Sequence, residues 1–382
     1  MLLGPGPSNV HPRVLDALAQ PLLGHLDPEF LALADDTQAL LRETFRTTNA
    51  VTFPVSGTGS AGMESCFVNL IEPGDRVLVC VNGVFGNRMA DVAARSGAEV
   101  ARVEAPWGRA MDPDAVLSAG RQFGPKIIAM VHAETSTGAL TPIPPIAAAA
   151  RACGALLVAD TVTSLAGIPV EVDLWGVDAC YSGTQKCLSC PPGLAPVSYS
   201  STAIEAVRAR KSRVASWYLD LTMLTRYWSD DRVYHHTAPI SMIYALREAL
   251  RLVQEEGLEA RWARHALHHR ALAAGLEAME LSLVVPGEER LPQLNAIAVP
   301  EGVEDAPVRR RLLEEFGIEI GAGLGVFQGK VWRVGLMGYS ASRENVLALL
   351  EALGVILPAQ GHRVEALAGV DAAEKLYRDA GA

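Results

Sequence analysis

A lysine stands at position 186 within YSGTQKCLSCPPG (181–193), with Ser182, Thr184 and Gln185 on one side and Cys187 on the other. Lysines mostly decorate solvated faces, whereas this one follows a β-like run and precedes two prolines. An amine enclosed in a pocket loses proton affinity and becomes a usable nucleophile toward a carbonyl. Asp160 ends LLVAD, an apolar run that reads as a strand buried on both faces. Carboxylates at the C-terminal ends of parallel strands point into the ligand crevice of open α/β sheets. VSGTGSAGMES (55–65) is a Gly-rich turn opening a helix, where backbone amides can approach an anion closely. It is not a Walker A sequence, since GK[ST] is missing, and it is not GxGxxG. Thr58, Gly59 and Ser60 are its candidate donors.

Each feature alone has a plainer account: a solvated lysine, an aspartate capping a helix, a Gly-Ser turn. Their order along the chain is more specific. Cup, carboxylate and lysine together supply what pyridoxal 5′-phosphate requires: a phosphate site, an acidic partner for the ring nitrogen, and an amine for the aldehyde.

The elements that must position these groups follow from hydrophobic patterning. Short apolar runs at 76–81, 98–105, 126–133, 155–160 and 178–184 alternate with candidate helices over 59–71, 86–96, 112–121 and 143–153. Buried runs separated by helices indicate an α/β fold with a mainly parallel sheet covered on both faces. LAPVSYS (194–200) reads as an antiparallel return strand. From 237 to 278 the chain is almost wholly helical, broken near Gly257. LNAIAVP, APVRRRLLEEFG, VWRVGLM and SRENVLALLEALG then indicate a smaller C-terminal α+β domain. The expected division is an N-terminal segment 1–20, a large cofactor domain 21–255 and a small domain 256–382.

The 382 residues are 49% hydrophobic and 20% charged, with a formal net charge of -10. Basic residues are dispersed, which argues against nucleic acid or an anionic membrane as partner. No apolar run reaches transmembrane length, and MLLGPGPSNVHPRV lacks the basic start of a signal peptide. Six cysteines read as reduced thiols, so the expected compartment is the cytoplasm. Cys187 and Cys190 form a CxxC that runs into prolines, and a loop of small residues accounts for it better than zinc does. No metal is expected. His235 and His236 lack a third ligand nearby. His265 and His269 lie four apart in RHALHHR without the HExxH glutamate, and read as a solvated helix face.

The chain resembles the class V aminotransferases of the fold-type I pyridoxal-phosphate enzymes, within them the alanine–glyoxylate and serine–glyoxylate (serine–pyruvate) group. The resemblance runs from LLGPGPSNV (2–10) to SRENVLALLEAL (342–353). It is carried by SGTGSAGMES, VNGVFGNR, HAETSTGAL, VADTVTSLAG, YSGTQKCLSCPPG, YLDLTML, YHHTAPISMIYALREAL and VWRVGLMG. It implies a large domain with a sheet of the seven-stranded type and a homodimer. Lys186 would bond to the cofactor's aldehyde and carry the proton between substrate and cofactor, and Asp160 would keep the ring nitrogen protonated. Thr58, Gly59, Ser60 and Gln185 would hold the phosphate. Phe85 would stack on one ring face and Val162 on the other, with Thr135 near the ring hydroxyl. Tyr234 and Thr237, in YHHT, would reach the phosphate of the neighbouring subunit. Arg333 would clamp the substrate carboxylate in the bidentate manner open to arginine, with Gly6 bordering it. Against the animal alanine–glyoxylate pattern, Phe85 replaces tryptophan, Ser60 histidine and Thr135 serine; these changes bear on substrate more than on cofactor. Retention of YHHT favours the alanine–glyoxylate subgroup over the plant-type serine–glyoxylate and ureidoglycine branches.

The implied reaction is ping-pong transfer of an amino group from L-alanine or L-serine to glyoxylate, with serine–pyruvate or another small 2-oxo acid reaction as the alternative. A lyase of the cysteine-desulfurase kind needs a reactive cysteine opposite the lysine. Cys187 would face away, and GAGLGVFQGK, before Arg333, contains none. A nicotinamide dehydrogenase needs GxGxxG after the first strand, and GPGPSN precedes no apolar strand.

Overall fold

The structure, a computed structural model, describes residues 1–381. Its centre is a seven-stranded sheet built from β1 (Val51–Ser56), β2 (Arg76–Val81), β3 (Glu99–Glu104), β4 (Ile127–Val131), β5 (Leu156–Asp160), β6 (Ala179–Tyr181) and β7 (Leu194–Tyr199). The order is β1-β7-β6-β5-β4-β2-β3. Pairing is parallel from β3 through β6, and β7 runs antiparallel to both β6 and β1. Every residue of β4 and β7 is buried, because helices cover both faces; this explains their continuous apolar character. The covering helices include α1 (Gly59–Leu70), α2 (Val84–Arg95), α3 (Pro113–Phe123) and α4 (Ile143–Ala152). All four lie where the apolar pattern predicts helices.

Apolar patterning does not predict strand β1, since Pro54 sits in its middle. It is tolerated because β1 is an edge strand. Pro54 lies opposite Pro196 on β7, and the Pro196 carbonyl turns the other way to accept from Ser182 N at 2.7 Å. The two prolines thus meet where the ladder exchanges no hydrogen bond.

Two long helices follow, α5 (Ile240–Glu256) and α6 (Leu258–Ala278), separated at Gly257, whose φ of 82° ends the first. The remainder forms a three-stranded antiparallel sheet, β8 (Leu294–Ala298), β9 (Gly321–Ala322) and β10 (Val331–Gly335), in the order β8-β10-β9. Helices α7 (Asp305–Phe316), α8 (Arg343–Ile356) and α9 (Ala368–Asp379) accompany it. One apolar cluster, with Phe53, Leu157 and Tyr181, belongs to the large sheet. A second, with Leu276, Trp332 and Tyr377, belongs to the small sheet and takes in Leu3 from the N-terminus.

The expected solvated face of RHALHHR is corrected. His265 is fully buried, with Nδ1 against the Arg261 carbonyl at 2.7 Å and Nε2 accepting from Gly338 N at 2.9 Å. His269 Nδ1 lies 2.6 Å from Asn295 Oδ1. Helix α6 is covered on more than one side, because α9 packs along it and Tyr377 Oη meets His268 Nδ1 at 2.8 Å. Among the described residues no helix is long and apolar enough to cross a membrane.

Candidate active site

The C-terminal ends of β4, β5 and β6 open onto a cavity of about 310 Å³. Helix α1 supplies one end of it through Thr58, Gly59 and Ser60. The first amides of a helix have no intrahelical acceptor, and the Thr58 side chain makes no capping bond there. A Cβ on Gly59 would meet Val162 Cγ2 at 3.1 Å and narrow this end. Phe85, Val162, Thr135 and Gln185 complete the walls. The Gln185 Oε1 atom is buried with no partner among the described residues.

Asp160 and Lys186 line the same cavity, and both are buried. Asp160 accepts from Val162 N at 2.8 Å on one oxygen and from Tyr181 Oη at 2.9 Å on the other. Burial nevertheless pushes its carboxyl up to about 7, against the pull of these donors. Burial also lowers the Lys186 amine to about 8, and the positive charge of Arg333 lowers it further. Lys186 Nζ donates to the Pro5 carbonyl. Gly6 follows with φ of 102°, a conformation that calls for glycine, and a Cβ there would press on Lys186 Nζ at 2.6 Å.

Arg333, in the centre of β10, reaches from the small sheet toward Thr135. Its Nε donates to the Ala322 carbonyl at 2.7 Å and its Nη1 to the Thr135 carbonyl at 3.0 Å. A guanidinium has five N–H donors, so three remain for a ligand. Burial lowers Arg333 to about 10, still charged at neutral pH.

Nine of the predicted site residues therefore share one cavity, with Gly6 and Arg333 at its margin. Tyr234 and Thr237 do not line it. Both are exposed, Tyr234 by 58%. Cys187 is also outside, with Sγ 3.3 Å from the Thr163 carbonyl.

Three supporting residues escaped the sequence reading. Glu134 is fully buried and accepts from Phe85 N (3.1 Å), Gly86 N (3.3 Å), Ser136 N (3.0 Å) and Ser136 Oγ (2.6 Å). It pins the start of α2 to the Thr135 turn. Tyr181 orients Asp160. Ser8 Oγ bonds to the Lys186 carbonyl at 2.8 Å and approaches Ser189 Oγ at 3.1 Å. The available signal was a polar residue ending an apolar run: Glu134 after KIIAMVHA, Tyr181 after DAC.

A buried amine and a carboxylate at the ends of neighbouring parallel strands, with a Gly-rich helix start across the cavity, define a pyridoxal-phosphate enzyme of fold type I. Residues 2–349 match the family described as Aminotransferase class-V. The chain belongs to that family, and is a pyridoxal-phosphate-dependent aminotransferase. It is 41% identical to the (S)-ureidoglycine–glyoxylate transaminase of Bacillus subtilis, across 100% of this chain and 96% of that one. It is 40% identical to the alanine–glyoxylate aminotransferase of Callithrix jacchus, covering 92% of this chain and 86% of the relative. The crystal structure of an alanine–glyoxylate aminotransferase from Nostoc sp. superposes with a TM-score of 0.92 at 51% identity, covering 93% of this chain and 94% of that one.

Proposed function

We propose that the chain transfers the amino group of L-alanine, or of L-serine, to glyoxylate, releasing pyruvate or hydroxypyruvate and then glycine in ping-pong order. The observation that carries this reading is one buried arginine, Arg333, beside a cavity of about 310 Å³. That suits small substrates with a single carboxylate. Glyoxylate stands in the names of all three relatives above, whereas the amino donor differs between them.

Pyridoxal phosphate, when bound, supplies an aldehyde and an electron sink for charge arising at the substrate Cα. The residues present fit it: a cup of helix-start donors, a carboxylate and a depressed amine. Lys186 Nζ would hold the aldehyde and, freed by the substrate amine, take the proton from Cα. With the amine lowered to about 8, an appreciable fraction is neutral at pH 7. Asp160 would hold a proton on the ring nitrogen, and Tyr181 and Val162 N keep its oxygens oriented. Thr58, Gly59, Ser60 and Gln185 would bind the phosphate, Phe85 and Val162 the ring faces, and Thr135 the ring hydroxyl. Arg333 would clamp the substrate carboxylate beside Gly6 with two of its three free N–H groups.

The proposed assembly is a homodimer in which Tyr234 and Thr237 complete the neighbouring subunit's phosphate site; their exposure outside their own cavity supports this. The proposed domains are 1–20, 21–255 and 256–382, supported by the two apolar clusters. The proposed compartment is the cytoplasm, in keeping with six free cysteines. A second reading keeps glyoxylate and changes the donor, toward the ureidoglycine named for the Bacillus subtilis relative.

The visible spectrum of the loaded enzyme tests this. L-alanine should bleach the yellow colour with release of pyruvate, and glyoxylate should restore it with release of glycine. Indifference to alanine and serine, with bleaching by ureidoglycine, would move the assignment to the second reading. Indifference to every small amino donor would sink both.

A further inference from the structure

Three residues on the cavity wall carry a formal charge: Asp160, Lys186 and Arg88. The first two have roles above; Arg88 has none. It sits on α2 three residues after Phe85, with its guanidinium carbon 4.8 Å from the Phe85 ring centroid. Its Nη1 lies 3.3 Å from Ser60 Oγ, in the proposed cup. Among the described residues it forms no ion pair with any carboxylate.

We propose that Arg88 is a phosphate-binding residue, closing the cup of Thr58, Gly59 and Ser60 from the α2 side. This rests on the cup assignment made above. Helix-start amides and hydroxyls offer only partial charges, and a full positive charge beside them strengthens the hold on a phosphate dianion. Lys186 cannot serve, because its amine is committed to the aldehyde. Arg88 is then the remaining cation on the wall. Stacking on Phe85 and the contact with Ser60 already hold the guanidinium plane at the rim. A planar fork of donors matches two phosphate oxygens at once, which an ammonium does not. Phe85 thereby has two functions: it lines the cavity, and its ring also carries Arg88.

The test separates phosphate from ring. Dissociation constants of the apo-protein are measured for pyridoxal phosphate and for pyridoxal, which lacks the phosphate, with inorganic phosphate as competitor. Arg88→Gln is expected to weaken pyridoxal phosphate by about 10- to 100-fold, the range for a charge-assisted hydrogen bond to an ion. Pyridoxal should stay within about twofold, which also serves as the check that the variant is folded. Arg88→Lys should fall between wild type and Arg88→Gln. Inorganic phosphate should compete less well in Arg88→Gln. Equal weakening of both ligands would overturn the proposal, since Arg88 would then act only through Phe85. Unchanged pyridoxal phosphate affinity would overturn it too. If wild type itself held pyridoxal phosphate no tighter than pyridoxal, the cup would fall and Arg88 with it. That outcome is distinct from the loss of Arg88 alone.

Discussion

Lys186 and Asp160 are moved by the same cause in opposite directions. Burial disfavours charge on each, so the amine comes down to about 8 and the carboxyl goes up to about 7. Both titrations are thereby brought close to neutral pH, about a unit apart. Only the neutral amine can attack an aldehyde, and the neutral fraction rises as pH rises through the amine's own value. The rate of pyridoxal phosphate uptake by apo-protein should therefore climb about tenfold per pH unit below 8 and level off above it. Stopped-flow absorbance across pH 6–10 measures this. A profile still climbing at pH 10, as an ordinary lysine would give, contradicts the burial argument. The sign also holds for stability: the unfolded chain binds the lysine proton up to about 10.5 while the folded one releases it near 8, so this group favours the folded apo-protein more as pH rises through that window.

At the scale of elements, α2, the 133–140 turn and the N-terminal strap hold the site residues in place. Gly83 has no room for a side chain, since a Cβ would lie 2.4 Å from the Glu134 carboxyl carbon. Glu134 thus reaches the start of α2 and fixes the backbone of Phe85 and Gly86. Glu134→Ala leaves those buried amides unpaired, and should cost about 2–4 kcal/mol of stability as well as loosening cofactor binding through Phe85. Glu134→Gln keeps one acceptor and should cost less. Denaturant midpoints with and without pyridoxal phosphate measure both effects, and equal midpoints for wild type and Glu134→Ala would refute the role. The strap acts from the other side. Its Leu3 N donates to Glu319 O and its carbonyl accepts from Gly335 N in the small sheet, while Ser8 holds the Lys186 backbone in the large one.

These elements also mark what could be read beforehand. The parallel strands, four helices and the break at Gly257 follow from local patterning, because apolar runs and turn residues are local signals. Lys186, Asp160 and the Gly-rich turn were legible for the same reason, each ending or opening a patterned element. Three things were not. Strand β1 hides because Pro54 reads as a breaker unless the edge position is known. His265 looks solvated because a helix covered by both the 338–341 turn and α9 is not amphipathic. Glu134 and Arg88 depend on two segments meeting in space, Glu134 with Gly83 and Arg88 with Ser60. Nothing in either segment alone announces the meeting.

At the scale of the whole molecule, the proposed dimer makes a prediction that a single chain could not satisfy. Tyr234 is 58% exposed; exposed Trp217 and Tyr218 face His235, the next residue in the chain, and none of the three aromatics lines the cavity of its own chain. Isolated large apolar residues are common on surfaces, whereas several exposed aromatics on one stretch of chain suit an interface. If Tyr234 and Thr237 serve the neighbouring subunit, a site needs Lys186 from one chain and this pair from the other. Lys186→Ala has an empty site but still offers its Tyr234 and Thr237. The double variant Tyr234→Ala/Thr237→Ala keeps its lysine but lacks the partner's contribution. Each homodimer should be nearly inactive, the second through weak cofactor retention. Unfolded and refolded together in equal amounts, half the dimers are hybrids, and in each hybrid one of the two sites is complete. Activity should return to about a quarter of wild type, as the symmetry of a two-fold dimer dictates. No recovery, despite hybrids identified by a tag on one chain, would mean that each subunit builds its phosphate site alone.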